Sequence, residues 1–318
     1  MPRPDPTDLS QVRTIELTSR SNKVDDASFA APPVPGRSFS EFLRGLPQID
    51  AALTFGRVVD AIVQARRGGR PVVWAMGAHV IKCGLNPVLI ELMRRDIITA
   101  VAFNGAGAVH DFEVALIGET SEDVAAGLKD GSFGMVRETA DGLNAALLPV
   151  MQPDRHDAGM GWLVGRYLHA ESAPNRRVSL MAMAYELDLP LTVHVALGTD
   201  ICHMHPSADG AAIGRATHND FRILTSVLRD LSGGVYLNVG SSVLMPEVFL
   251  KAFTVAQNLG ADLHDFTTVN MDMTNHYRPG QNVVGRPPQV GGAGYTLLGR
   301  HEFMVPLLAQ AVVEQLGA

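Results

Sequence analysis

Cysteine is nearly absent from this chain. Cys83 and Cys202 are the two in 318 residues, too few for a disulfide framework, and they point to a reducing, cytoplasmic compartment. No apolar run is long enough to span a bilayer, and no apolar signal-peptide core follows the opening Met1-Pro2-Arg3-Pro4-Asp5. Positive charge is also short. Lys and Arg number 26 against 33 Asp and Glu, a net charge of −7, and no basic cluster reverses that balance locally. Nucleic acid and anionic membrane therefore lose their electrostatic footprint, which leaves a small molecule as the expected partner. The sequence contains no Gly-x-Ser-x-Gly elbow, phosphate-binding Walker loop or His-Glu-x-x-His pair, and no repeat at solenoid periods. The hydrophobic share of 46% and charged share of 19% are those of a globular chain with a well-filled interior.

Four times a short apolar run of strand type ends in a Gly, Asn or Asp turn and opens into an amphipathic helix. Residues 71–76 lead into Gly77-Ala78-His79, and residues 98–103 into Asn104-Gly105-Ala106-Gly107. Residues 189–197 lead into Gly198-Thr199-Asp200, and residues 235–239 into Gly240-Ser241-Ser242. In a parallel sheet such turns share one edge, at the carboxyl ends of the strands, where open α/β folds bind ligands. The fold expected is α/β, a mostly parallel doubly wound sheet, with the polar residues of the four turns converging on one site.

Residues 1–48 are polar and Pro-rich. The stretch 30–36, with Pro32, Pro33 and Pro35, reads as an extended connector, so this arm buries no core of its own and either stays mobile or lies on a neighbouring subunit. Residues 49–318 read as a single α/β domain. A helix over residues 55–66 carries Val58, Val59, Ile62 and Val63 at helical spacing. Further helices are expected from Asn86, over residues 112–117 and 139–148, as a pair within 158–187, and over 219–231. Another enters with Pro246 at its first position. A fifth strand is expected at residues 266–271, then a Gly-rich loop at 290–294 and a closing helix over 301–316.

The densest chemistry lies in residues 194–206, where His194, His203 and His205 accompany Asp200 and Cys202. Imidazole and carboxylate suit a metal, and on a strand His203 and His205 would share one face, but no known ligand spacing is matched. The alternative is an active-site loop whose histidines bond substrate or backbone. Asp200 is placed either to accept both hydroxyls of a ribose or simply to cap a helix. Gly105-Ala106-Gly107 permits close approach to the backbone, as any strand-to-helix turn does. His110, Asp111 and Glu113 follow, suited to an amine or to a helix N-terminus. Gly240 and Ser241 could cradle a pyrophosphate or serve an ordinary helix entry. Residues 270–279, with His276 among them, form a polar loop after a strand.

Taken in order, these turns resemble the deoxyhypusine synthase family. The resemblance covers about residues 50–290, through the Gly77-Ala78-His79 turn, the Gly105 to Asp111 turn, the Thr199-Asp200 strand end and the Gly240 turn with its Gly260-Ala261-Asp262 exit. It implies an NAD-binding domain of the deoxyhypusine synthase type, a homotetramer with sites at subunit interfaces, and transfer of an aminobutyl group through a lysine imine. It assigns NAD contacts to Gly77, Ala78, His79, Gly105, Ala106, Asp200, Gly240 and Ser241, and substrate contacts to His110 and Asp111. The chain departs from the family at the lysine position, which reads Glu247. A carboxylate forms no Schiff base. Lys251 lies one helical turn further on, and Lys82 is the other lysine near a turn. His110 also replaces an acidic residue.

The function expected is that of a deoxyhypusine synthase-like, NAD-dependent transferase or oxidoreductase acting on a small amine or hydroxylated metabolite. His203, His205, Glu247 and Lys251 are its catalytic candidates, with His276 near the substrate. Two alternatives remain open: a metal-dependent hydrolase or lyase built on the cluster from His194 to His205, and a catalytically silent NAD-binding homologue.

Overall fold

The computed structural model describes residues 3–317, in two compact units that meet in sequence after Leu53. The first is largely irregular chain, and its apolar residues Leu9, Val12, Ile15 and Leu17 are exposed. Its one α-helix, α1 (Phe39–Arg44), begins in a capping box between Ser38 and Glu41. Helix α2 (Asp50–Arg67) runs on into the second unit and buries Val58, Val59, Ile62 and Val63, the spacing read from the sequence.

The second unit is a doubly wound α/β fold around a six-stranded, wholly parallel sheet in the order β3-β2-β1-β4-β5-β6. Strand β1 (Val72–Met76) is followed by α3 (His79–Lys82) and α4 (Asn86–Arg94). Strand β2 (Ala100–Asn104) passes without a loop into α5 (Gly105–Ile117). Then come α6 (Val124–Gly127), α7 (Arg137–Leu147), α8 (Met160–Ala170) and α9 (Leu180–Glu186). Strand β3 (Leu191–His194) precedes α10 (Gly210–Leu228), and β4 (Val235–Val239) precedes α11 (Leu244–Asn258). The chain closes with β5 (Thr267–Asp272), α12 (Tyr277–Pro279), β6 (Ala293–Leu298) and α13 (His301–Leu316). Strand order reverses between β1 and β4, the position at which such sheets open a crevice.

Strands β1 and β4 are buried along their whole length, as helices on both faces of a parallel sheet require. Alternation sends Val73, Ala75, Ala102 and Tyr236 to one face. There they join Leu224 and Leu228 of α10 and Phe249 and Phe253 of α11 in a continuous core. Tyr236 and Phe249 stack with centroids 3.8 Å apart.

Several boundaries differ from the sequence reading. Strand β3 ends at His194, and residues 201–204 form a 3-10 turn, so His203 and His205 share no strand face. Pro246 occupies the third helical position of α11, still within the first turn where its missing N–H has no helical acceptor. Residues 293 and 294, read as the end of a loop, open the strand β6, which the sequence reading did not contain.

Strand β3 lies at one edge of the sheet, and α10 answers its backbone with side chains. Asp220 Oδ2 accepts the Val193 N–H at 2.8 Å and the Gly161 N–H at 3.1 Å. Thr217 Oγ1 accepts from Val195 N–H and donates to the Val193 carbonyl. Asp220 is fully buried, and burial pushes its carboxyl up to about 8, against the pull of the backbone donors. Because the folded pKa lies above the ordinary 3.8, folding takes up a proton between about pH 4 and pH 8. Stability should therefore fall as pH rises through that window, by up to about 1.4 kcal/mol per unit. In Asp220→Asn the amide oxygen still accepts both N–H groups, and thermal melts at a series of pH values should lose this slope.

Candidate functional site

The turns after β1 and β4 touch through bare backbone. A Cβ on Gly77 would overlap the Gly240 carbonyl oxygen, and the Gly77 N–H bonds the Val239 carbonyl at 3.0 Å. Gly240 has a φ of 63°, and a Cβ there would lie 2.6 Å from His301 Cε1. Glycine is thus required on both sides of the crevice floor.

Helix α5 begins directly at the end of β2, where Asn104 caps it by accepting the Gly107 N–H at 3.0 Å. Asp200 comes in from the β3 side and presses its carboxylate onto Gly105, where a Cβ would overlap Oδ2. The Asp200 residue is buried, and Oδ2 has no hydrogen-bond partner. Burial raises its pKa and His203 opposes the rise. His203 Nδ1 accepts the N–H groups of Gly198 and Asp200, so a neutral ring carries its proton on Nε2. That atom lies 4.0 Å from Asp200 Oδ2 and is likewise unpartnered. Asn144 of α7 fixes the same loop by donating to the Cys202 carbonyl and Ser207 Oγ.

A cavity of about 230 Å³ opens beside this carboxylate, with Ala106, His110 and Glu113 of α5, Thr199, Asp200 and Lys82 in its wall. His110 Nδ1 lies 2.7 Å from Thr120 Oγ1, and Thr120 and Thr139 both donate to Glu113. Burial lowers the pKa of His110, with Glu113 opposing. The wall therefore offers carboxylates, a neutral imidazole and one lysine, a set able to bind hydroxyls and a cation. A cavity of about 430 Å³, walled by Trp162 and Tyr185, opens at the amino end of β3, away from the four turns.

The other half of the edge holds a second cluster. His79, just past β1, faces His301 at the start of α13 with their Nδ1 atoms 3.1 Å apart. Cys83 Sγ is 3.4 Å from His79 Nδ1 and 3.8 Å from Glu302 Oε2. His301 Nε2 is buried without a partner, 3.9 Å from Asp272 Oδ1 at the end of β5. Sequence reading named His79 as a site residue, put Asp272 in the polar loop of residues 270–279 and opened the closing helix at His301, but gave His301 no role in the site. Nothing in a lone histidine at a distant helix start signals that it will pack under Gly240.

The remaining residues singled out from sequence lie elsewhere. Asp111, next to His110, turns away from the cavity. It is fully buried and accepts from Asn86 Nδ2, Ser179 Oγ and the Leu180 and Met181 N–H groups, so it anchors α9 instead of meeting a ligand. Ser241 Oγ accepts the Met245 N–H as a helix-entry bond. Glu247 pairs with Lys251 and Arg278 and accepts from Asn282. Lys251 is thereby held on an exposed helix surface. His205 faces Asp141 and Ser207, and His276 lies exposed before α12. His194 is buried against Thr192, and burial pushes it down to about 3. The three histidines of residues 194–205 thus point apart. Among the described residues no group of three or more His, Cys, Asp or Glu side chains is arranged to hold a metal ion. Among the described residues no helix is long and apolar enough to cross a membrane.

No protein-family model and no curated protein matches the sequence. Solved structures do match the fold. AgrE, in its ternary complex with ornithine and NAD+, is similar over 83% of this chain with a TM-score of 0.50 at 18% identity. An inferred LOR/SDH protein from Methanococcus maripaludis S2 is similar over 85% of this chain and 72% of its own, with a TM-score of 0.51 at 15% identity. An inferred deoxyhypusine synthase from Entamoeba histolytica is similar over 88% and 94%, with a TM-score of 0.50 at 11% identity. This chain spans about a third of the length of AgrE, 33%. These likenesses carry the resemblance to the level of the fold.

The two glycine contacts differ in what they meet, backbone at Gly77 and a side-chain carboxylate at Gly105. Gly77→Ala should destabilise by about 3 kcal/mol or more, since neither turn can yield, and Gly105→Ala by about 1 kcal/mol, since Asp200 can swing aside. Denaturant midpoints in that order would confirm which contact is rigid.

Proposed function

We propose that the protein is an NAD-dependent enzyme acting on a small amine or hydroxylated metabolite. The observation that carries this reading is the buried Asp200 oxygen with no partner, held against Gly105 beside a cavity at the carboxyl edge. A buried carboxylate oxygen without a partner is costly unless a ligand satisfies it. Two ribose hydroxyls do so in dinucleotide sites. AgrE, of similar fold, was crystallised with NAD+. The cavity of about 230 Å³ is below the range of roughly 300 to 1,000 Å³ usual for a whole ligand. We read it as room for one nucleoside: Asp200 would hold its ribose, Lys82 and the backbone at the start of α5 its phosphates, and the turns at Gly77 and Gly240 the remainder of the dinucleotide. When bound, NAD would supply a hydride acceptor.

Ala106 and His110 belong to the same proposed pocket, His110 on the substrate or ribose side. Glu247 and Lys251 satisfy one another on an exposed surface, so no lysine imine is proposed and aminobutyl transfer is not part of this reading. A homotetramer would complete the open part of the groove with a neighbouring subunit. Two free cysteines and a net acidic chain support a cytoplasmic location.

Calorimetric titration tests it directly. NAD should bind, and Asp200→Ala should weaken it by about 10- to 100-fold, the loss of a charge-assisted bond of about 1.5 to 3 kcal/mol. NADP should bind at least about tenfold more weakly than NAD, because its 2′-phosphate would meet the Asp200 carboxylate. Lys251→Ala should leave NAD affinity within about twofold, as an exposed ion pair predicts. A wild-type protein with no affinity for NAD would end the proposal.

A further inference from the structure

Two histidines that face each other through the same ring nitrogen can hold one proton between them. His79 Nδ1 and His301 Nδ1 are 3.1 Å apart. If both rings are neutral, one Nδ1 donates and the other accepts, and the donor's Nε2 is left bare. The Met271 carbonyl bonds the His301 ring, and Asp272 adds a negative charge. Its Oδ1 stands 3.9 Å from His301 Nε2, beyond hydrogen-bond length but close enough for an anion to favour a proton over a lone pair at that nitrogen. With Nε2 protonated, His301 presents a bare Nδ1, His79 must donate through its own Nδ1, and His79 Nε2 carries the lone pair, with Cys83 Sγ 3.8 Å away.

Burial disfavours a charge on His301. His301 is fully buried, at the N-terminus of the 16-residue α13, where a positive ring is disfavoured. The charged and titratable groups facing the pair are Asp272 from β5, Glu302 from α13 and Cys83 from the turn after α3. Burial and Glu302 hold the Cys83 thiol above its usual range, and its S–H donates to Glu302 Oε2, which leaves the sulfur beside His79 as a weak acceptor. Gly240 keeps the place, since the His301 ring fills the space a side chain there would need.

We propose that His79 is the proton acceptor of the reaction, and that His301 and Asp272 are positioning residues that hold its Nε2 unprotonated. This rests on the NAD-dependent reading above. In oxidation of a C–OH or C–NH group, the carbon's hydrogen leaves with its electron pair to NAD. The O–H or N–H bond breaks, a C=O or C=N bond forms, and the released proton passes to His79 Nε2.

The test uses the ligand-free full chain, with ¹⁵N NMR of histidine ring nitrogens above neutral pH. The expected result is a dominant Nδ1–H tautomer at His79 and Nε2–H at His301. In Asp272→Asn, which keeps shape but not charge, the preferred tautomer of His79 should fall to about half. In Cys83→Ala it should not change. A wild-type His301 protonated on Nδ1, or an Asp272→Asn protein with unchanged tautomers, would overturn the lock. So would stoichiometric uptake of cobalt(II) that Cys83→Ala abolishes, since both Nδ1 atoms would then be metal ligands. NAD titration of the same samples separates the two readings. The expected tautomers without NAD affinity would support the lock and sink the dinucleotide.

Discussion

Everything at the carboxyl edge depends on one steric fact: the turns leaving β1 and β4 meet backbone to backbone at Gly77 and Gly240. Parallel pairing of the two strands from Val72 with Val235 through Met76 with Val239 brings both turns to the same height, and the absence of side chains lets them close. That contact sets the floor of the crevice. It also sets the position of everything that leans on the floor, His301 under Gly240 above all. A side chain at either glycine would move the histidine pair as well as the turns.

The edge divides chemically across that floor. On the β2 and β3 side, Asp200 and His203 are buried with an unpaired oxygen and an unpaired nitrogen facing the start of α5. On the other side, His79 after β1 and His301 before α13 face each other through Nδ1 atoms 3.1 Å apart, with Asp272 at the end of β5 3.9 Å from His301. The first half is suited to recognition, the second to proton movement, and a ligand long enough to cross both would join them. Holding unpaired polar atoms in a low-dielectric place costs stability, and it leaves the groups ready without reorganisation when a ligand arrives.

How much of this was legible in the sequence follows from the physics of each signal. Strand β4 and helix α13 match their sequence-read bounds residue for residue, because a continuous apolar run between turn residues, and a long periodic helix, are each read locally. Strand β6 was hidden by Gly291, Gly292 and Gly294, and because an edge strand half exposed to solvent needs no strong apolar pattern. His110 and Asp111 read as one substrate pair, yet adjacent helical residues diverge by about 100°, which puts one in the cavity wall and the other in the core. The histidines of residues 194–205 looked like a cluster because they are near in sequence. The pair that does meet, His79 and His301, is 222 residues apart, a separation no local pattern bridges.

The bonds that α10 makes to β3 have a further meaning. A strand at the margin of a sheet displays a row of unused amides and carbonyls, a template on which another chain can add itself. Here the Val193 and Val195 N–H groups and the Val193 carbonyl are already taken by Asp220 and Thr217. This margin is sealed from within, so growth of the sheet into aggregates is blocked on the β3 side by two side chains of a single helix.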